Sequence, residues 1–176
     1  VRLQVDGQIK TGRDVVIGAM LGADEFGFGT TPLVAMGCLM MRKCQKNTCP
    51  AGIATQDPAL RRQFVGRPEH VENYFHFVAR EVREIMAQLG VAKFDDLIGH
   101  VEYLRKRSGL DGLKASKLSL EKILYKLPNP KGFPLLSTEP QDHELEKAFD
   151  LRYAAELSEA LKAKRPMRVQ TRVGNT

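Results

Sequence analysis

The sequence has no run of eighteen apolar residues and no signal-peptide pattern at its start. A membrane-spanning helix needs about 20 consecutive apolar residues, so a protein anchored by such helices is excluded. No membrane partner is expected. The start, VRLQVDGQIK, has no initiator Met and is already typical of a strand. We therefore expect the chain to be a piece of a longer one. Its 176 residues, 43% hydrophobic and 27% charged, are otherwise ordinary for one soluble domain.

A strong bias toward charge of one sign is also missing. The net charge is +6, and basic residues alternate with acidic ones through most of the chain. The exception is the C-terminal basic cluster of Lys162, Lys164, Arg165, Arg168 and Arg172. Such a cluster is compatible with nucleic-acid binding. A solvated helix end followed by a strand explains it more simply, and no nucleic-acid partner is expected.

Cysteine is absent outside one short segment, CLMMRKCQKNTCP. Its three cysteines are Cys38, Cys44 and Cys49, spaced C-x₅-C-x₄-C, and Pro50 follows the last. An odd number in a chain of this length argues against a disulfide framework. Structural zinc normally takes four Cys or His ligands, and His70 and His76 are not at a familiar zinc spacing.

Clustered thiolates with a terminal Cys-Pro are typical of iron–sulfur ligation, and three cysteines suit a cluster of three irons. Each iron would have one cysteine, and Arg42, Lys43 and Lys46 would offset part of the negative charge. The alternative from the residues alone is that the thiols are small buried apolar groups.

Glycine turns follow two predicted strands in VDGQIKTGRDVVIGAMLGADEFGFGTT. Glycine lets the backbone approach a ligand, and amides at a helix start can bind an anion. In (β/α)₈ barrels a phosphate site commonly forms from the loops after strands seven and eight. The candidate phosphate-binding residues are Asp6, Gly7, Gln8, Gly27, Gly29 and Thr30. Glycine turns of purely steric origin remain an equal alternative.

Hydrophobic spacing predicts the remaining elements. Strands are expected at residues 2–5, 26–28 and 167–173, and a loop at 128–134. The clearest helix begins at Pro68 and ends before Gly90, with apolar residues every three or four positions. Shorter helices are expected at residues 11–21, 32–36, 58–64, 94–105, 119–126 and 142–163.

The segments DGQIKTGRDVVIGAMLGADEFGFGT and CLMMRKCQKNTCPAGIATQ together resemble the large chain of glutamate synthase. The resemblance continues through RPEHVENYFHFVAREVREIMAQLG. It implies an α/β fold: the last two βα units of an FMN-binding (β/α)₈ barrel with an iron–sulfur loop (1–106). A helical linker (107–166) and the start of a C-terminal β-helix domain (167–176) would follow. One departure is Gln8, where the family has glycine; a positive φ there would strain the turn.

The resemblance also implies an activity. Glutamate synthase transfers the amide nitrogen of glutamine to 2-oxoglutarate, using FMN and a [3Fe-4S] cluster that Cys38, Cys44 and Cys49 would hold. Its electron donor is an NADPH-dependent flavoprotein small subunit or ferredoxin, and its location is the cytoplasm or a plastid. The chain would supply the FMN phosphate end but no catalytic residue, since the amidotransferase and most substrate contacts lie elsewhere.

Two alternatives stay open. One is another FMN barrel enzyme, of the glycolate oxidase or IMP dehydrogenase kind, against which the cysteine segment argues. The other is a non-enzymatic iron–sulfur electron-transfer module. A visible spectrum of anaerobically purified protein distinguishes them, because flavin and cluster absorb differently.

Overall fold

A computed structural model of the chain describes residues 1–109, 112, 114–140 and 142–172. The chain divides into two compact units, Val1–Glu139 and Pro140–Thr176. Within the described ranges, no helix combines the length and apolar character needed to cross a membrane.

The first unit begins with a parallel β-α-β arrangement. Strand β1 (Gln4–Val5) pairs with strand β2 (Glu25–Phe26), and helix α1 (Gly12–Met20) connects them. A parallel pair needs such a crossover because the chain must return to the end of the sheet at which the first strand began. The predicted strands are present but only two residues long, and the second begins one residue early.

Helix α1 begins with a capping box formed by Thr11 and Asp14. Thr11 Oγ1 accepts a hydrogen bond from Asp14 N at 3.2 Å, and the Asp14 carboxylate accepts one from Thr11 N at 2.9 Å. This reciprocal pair satisfies backbone donors that a helix start leaves free. The predicted helix at residues 11–21 is confirmed, with its two terminal residues serving as caps.

Two short helices flank the cysteine segment. Helix α2 (Thr30–Ala35) follows β2 and begins two residues earlier than predicted. Helix α3 (Pro58–Arg61) covers the first four residues of the segment predicted at 58–64. Asp57 Oδ1 caps it by accepting from Ala59 N at 2.7 Å and Leu60 N at 3.0 Å. Between them, Cys44–Lys46 forms a single 3₁₀ turn.

Helix α4 (Pro68–Leu89) has the bounds that its sequence predicts, and Gly90 ends it with φ 72°. It packs against α1 at very short range, because a Cβ added at Gly12 would lie 2.7 Å from Val78 O and Val82 N. Gly12 N also donates to Glu81 Oε2 at 2.7 Å. The glycine therefore brings the start of α1 into direct contact with the backbone of α4.

The core of the first unit lies between these two helices. Its buried members come from α1, α4 and the 3₁₀ turn Phe94–Leu97 with the residue after it. They are Val15, Val16, Ala19, Met20, Val78, Val82, Met86, Leu97 and Ile98. The apolar stripe predicted on α4 is therefore a packing face.

After α4 the chain forms the 3₁₀ turns Phe94–Leu97 and Val101–Tyr103 where a short helix was expected at 94–105. A further 3₁₀ turn, Lys114–Lys117, lies between the two predicted short helices. The helix predicted at 119–126 was wrong: residues 121–123 form a turn and the rest has no regular structure. Eight residues are too few to hold a helix without packing, and Pro128 disfavours helical geometry just beyond. Instead Lys126 Nζ donates to Glu102 Oε1 at 2.7 Å. Residues 128–134 form a loop, as predicted.

In the second unit, a 3₁₀ turn (Leu145–Lys147) precedes helix α5 (Phe149–Lys162). The helix predicted from residue 142 thus begins later, because Glu144 has φ 47° and Ala148 is extended. The strand predicted at 167–173 is not formed over 167–172, and Val173 lies outside the described residues. The side chains of the basic cluster are exposed.

Candidate cofactor site

The carboxyl ends of β1 and β2 open into one pocket of about 370 Å³. The loop after β1 contributes Asp6, Gly7, Gln8, Ile9 and Lys10, and the loop after β2 contributes Gly27, Phe28, Gly29 and Thr30. All six residues predicted to bind phosphate line this pocket. Sequence reasoning missed Ile9, Lys10 and Phe28; Ile9 and Phe28 adjoin a predicted residue, and Lys10 lies two positions after Gln8.

The first loop depends on a left-handed backbone. Gly7 has φ 79° and Gln8 has φ 63°. The positive φ of Gln8 is the backbone angle that was expected to strain this turn, because non-glycine residues rarely adopt it. Gln8 therefore holds a strained conformation at the rim of the pocket.

Close contact between the two loops requires a glycine in the second loop. Gly27 N donates to Val5 O at 2.8 Å, which extends the strand pairing by one residue. A Cβ at this position would lie 3.0 Å from Asp6 Cβ and 3.2 Å from Gln4 Nε2. A side chain at residue 27 would therefore push the loops apart.

Gly29 differs from Gly27, because the space that a side chain would occupy at Gly29 is empty. A Cβ added there would meet no atom of the protein within 4 Å, and its φ of −107° is accessible to other residues. No side chain caps the start of α2 and no acidic residue lies in its first turn. The backbone at Gly29 and Thr30 is thus accessible to a bound group.

The side chains of Asp14 and Tyr74 hold the first loop by hydrogen bonds. Asp14 Oδ2 accepts from Lys10 N at 3.0 Å and from Thr11 Oγ1 at 2.9 Å. Burial alone would raise the pKa of Asp14, but these hydrogen bonds outweigh it and hold the pKa below its usual value. Tyr74 Oη donates to Lys10 O at 2.7 Å, so α4 also supports this loop.

Aromatic contacts fix the second loop to α4. The Phe28 ring meets Tyr74 and Phe75 edge to face, with centroid distances of 6.1 and 5.1 Å. Burial raises the pKa of Tyr74, which keeps its hydroxyl a donor. Tyr74 and Phe75 therefore serve in packing, whereas the neighbouring Phe77 is 64% exposed.

The cysteine segment begins where α2 ends. Cys38 N donates to Leu33 O at 2.9 Å, and Met40 N donates to Cys38 Sγ at 3.4 Å. Helix α2 has six residues and therefore spans about 9 Å, given a rise of about 1.5 Å per residue. This short helix directly connects the pocket with the first cysteine.

The three thiols are accessible and unpaired with one another. Cys44 is exposed, while Cys38 and Cys49 are partly buried, so the small-buried-residue interpretation does not describe them. Backbone hydrogen bonding from residues 51–54, Ala54 foremost, lowers the pKa of the Cys49 thiol. Over the described ranges, no three Cys, His, Asp or Glu side chains are arranged to hold a metal ion. The cysteines therefore offer the donor type that iron–sulfur clusters use, three thiols in one segment, but their described arrangement is not that of a metal site.

Comparison with known proteins gives a family for this chain. A family described as a conserved region in glutamate synthase matches residues 1–92. The chain is 43% identical over its whole length to the glutamate synthase [NADPH] large chain of Bacillus subtilis. It is 44% identical, again over its whole length, to glutamate synthase [NADH] of Schizosaccharomyces pombe.

A third relative carries a different donor in its name. The chain is 45% identical, over 82% of its length, to ferredoxin-dependent glutamate synthase 1 of Arabidopsis thaliana. The chain spans only 11%, 8% and 9% of these three relatives, respectively. Nearly equal identity to all three indicates that the matched region is common to enzymes named for different donors.

Proposed function

The chain belongs to the glutamate synthase family, and from that premise we propose that it forms the flavin-phosphate end and the iron–sulfur loop of a glutamate synthase. The proposed overall reaction is reductive transfer of the glutamine amide nitrogen to 2-oxoglutarate, giving L-glutamate. The ammonia derived from glutamine would come from a part of the protein outside this chain. When bound, FMN supplies hydride chemistry and the three-iron cluster supplies single-electron transfer.

The convergence of two glycine loops in one pocket is the observation that carries the proposal. A phosphate needs several inward-facing donors and no side chain in the way. The backbone around Gly7 and at Gly29 and Thr30 fits this need, and Gly29 leaves space that the protein itself does not fill. Lys10 brings a cation to the same pocket, which also contains the Asp6 carboxylate. These residues would hold the FMN phosphate.

The cysteine segment supports the second half of the proposal. Cys38, Cys44 and Cys49 would each ligate one iron of a [3Fe-4S] cluster. The lowered pKa of Cys49 favours the thiolate that ligation requires. Helix α2 joins the pocket loop to the segment of Cys38, so the two proposed sites are neighbours along the chain. The electron donor would be a flavoprotein subunit or ferredoxin.

The fold proposal follows from the parallel β-α-β arrangement. The two strands would be the last two of an FMN-binding (β/α)₈ barrel, with the phosphate site beyond their carboxyl ends. Both strands are short and, among the described residues, pair only with each other, which suits strands that neighbours extend. The expected β-helix start at residues 167–176 stays a prediction.

The test is anaerobic purification of the full-length protein, followed by its visible spectrum, iron and FMN content, and an assay of glutamate formation from glutamine and 2-oxoglutarate. The proposal expects FMN, three irons per chain and glutamate formation. Flavin without iron would support another FMN barrel enzyme. Iron without flavin would support an electron-transfer module, and either result would overturn the proposal.

A further inference from the structure

We infer that Asn47 and Thr55 form a polar clamp that positions Cys49, and with it the turn carrying Cys44, for the cluster. This inference rests on the proposed function, since the clamp has a role there only if the thiols bind iron. Neither residue is a ligand, so both are positioning residues.

The clamp consists of three contacts across a short loop. Asn47 Oδ1 accepts from Gln56 N at 2.6 Å and from Thr55 Oγ1 at 3.1 Å. The Asn47 carbonyl oxygen also lies 2.9 Å from Thr55 Oγ1. Because a threonine has one hydroxyl hydrogen, the two oxygens of Asn47 share it. The contacts close a loop of residues 48–54 that contains Cys49.

Asn47 is suited to this place by its backbone. It ends the 3₁₀ turn Cys44–Lys46 with φ 57° and ψ 19°, a left-handed conformation. Asparagine tolerates this conformation better than most residues. The same residue therefore terminates the turn that Cys44 begins and closes the loop that Cys49 occupies.

The closed loop is anchored to α3. Thr55 Oγ1 accepts from Asp57 N at 3.1 Å, and Asp57 caps that helix. On the other side, Gly52 has φ 70°, and a Cβ there would collide with Leu60 O and lie 2.9 Å from Phe64 N. The loop is thus held between the clamp and the backbone at the end of α3.

This arrangement holds the backbone on both sides of Cys49. Asn47 and Thr55 are joined across the loop, and Gly52 lies against the backbone near the end of α3. Releasing the clamp would let the loop, and with it the Cys49 thiol, move relative to Cys44. Groups behind a metal ligand orient it and tune the metal, so the expected consequence is weaker iron retention and a changed electronic environment.

The experiment uses the full-length, anaerobically purified protein and two matched pairs of variants. Asn47→Gly removes the side chain but keeps the left-handed backbone accessible, whereas Asn47→Asp keeps an acceptor oxygen. Thr55→Val removes the hydroxyl at nearly constant shape, whereas Thr55→Ser keeps it. The measurements are the rate of iron loss to a chelator, the EPR spectrum of the oxidised cluster and the FMN content.

We expect Asn47→Gly and Thr55→Val to lose iron about tenfold faster than the parent, which corresponds to about 1.4 kcal/mol. Their EPR line shape should change while the FMN content stays constant, and Asn47→Asp and Thr55→Ser should restore the parent behaviour. Unchanged iron loss and EPR spectra in both first variants would overturn the clamp and leave the proposed function intact. If these two variants lost FMN together with iron, Asn47 and Thr55 would have a general structural role. That result would also overturn the clamp. A parent protein without iron would overturn the proposed function itself.

Discussion

Replacing Gly12 with alanine tests how the two main helices position the pocket. A Cβ there would lie 2.7 Å from Val78 O and Val82 N and 2.8 Å from Glu81 Cβ. Two of these neighbours are backbone atoms of α4, which cannot turn aside as a side chain can. The start of α1 must therefore move away from α4.

The structure sets the size of the effect. Ordinary contact begins at 3.4 Å, so relief from 2.7 Å needs a shift of about 0.7 Å. The same shift would lengthen the 2.7 Å hydrogen bond from Gly12 N to Glu81 Oε2 beyond its normal range. Overpacking costs about 1–3 kcal/mol, and weakening a bond to a charged group adds about 1 kcal/mol. We expect a total loss of about 2–4 kcal/mol.

Hydrogen exchange in the full-length protein is the suitable assay, because it reports the free energy of opening for the amides of α1 and α4 separately from the rest. Glu81→Gln is the matched control, since it keeps the side-chain shape and an acceptor, and it should lose less than half as much. FMN affinity should also fall in Gly12→Ala, because the displaced helix start carries the loop at Lys10. Exchange within 0.5 kcal/mol of the parent would refute the close-packing argument.

Three further predictions concern the pocket, the thiols and a surface ion pair. Gly29→Val should change stability little, because a Cβ there meets no atom within 4 Å, but should weaken FMN binding at least tenfold by titration. Gln8→Gly should keep or improve the FMN affinity by relieving a left-handed residue. Equal affinities in all three proteins would place the phosphate elsewhere. Cys44→Ser should abolish the EPR signal of the oxidised cluster and electron flow to the flavin, and retention of both would remove Cys44 from the ligand set. The hydrogen bond from Lys126 holds the pKa of Glu102 at about 2 against 4.5, so its contribution to stability is full above pH 4.5 and is lost as the pH falls toward 2. In Lys126→Met the acid-unfolding curve should differ from the parent curve above that window and merge with it below; a constant offset at all pH values would contradict this assignment.

Helix α4 shows what local sequence signals predict well. Pro68 at its start, Gly90 after its end and apolar residues at three- and four-residue intervals gave the observed bounds. All three signals act within the segment itself, so no knowledge of distant residues was needed. The family was also predicted correctly, because the glycine and cysteine motifs are long and lie close together in the chain.

The helix predicted at residues 119–126 shows where such signals fail. Its apolar spacing is compatible with a helix, but Ile123 and Tyr125 are 58% and 62% exposed and gain little from helical packing. Lys126 instead pairs with Glu102, twenty-four residues earlier. A short segment takes the conformation that its distant contacts favour, and those contacts are not visible in its own sequence.

Residue types and their spacing alone establish the candidate chemistry of this protein: three thiols within one segment and glycine-rich turns after two strands. The tertiary structure decided where these groups lie. Parallel pairing of two-residue strands brings Gly7 and Gly29 to one pocket, and Gly12 meets Glu81 across sixty-nine positions of the chain. Residue types set which bonds and contacts are available, whereas the choice among them depends on burial and on neighbours that only the folded chain brings together.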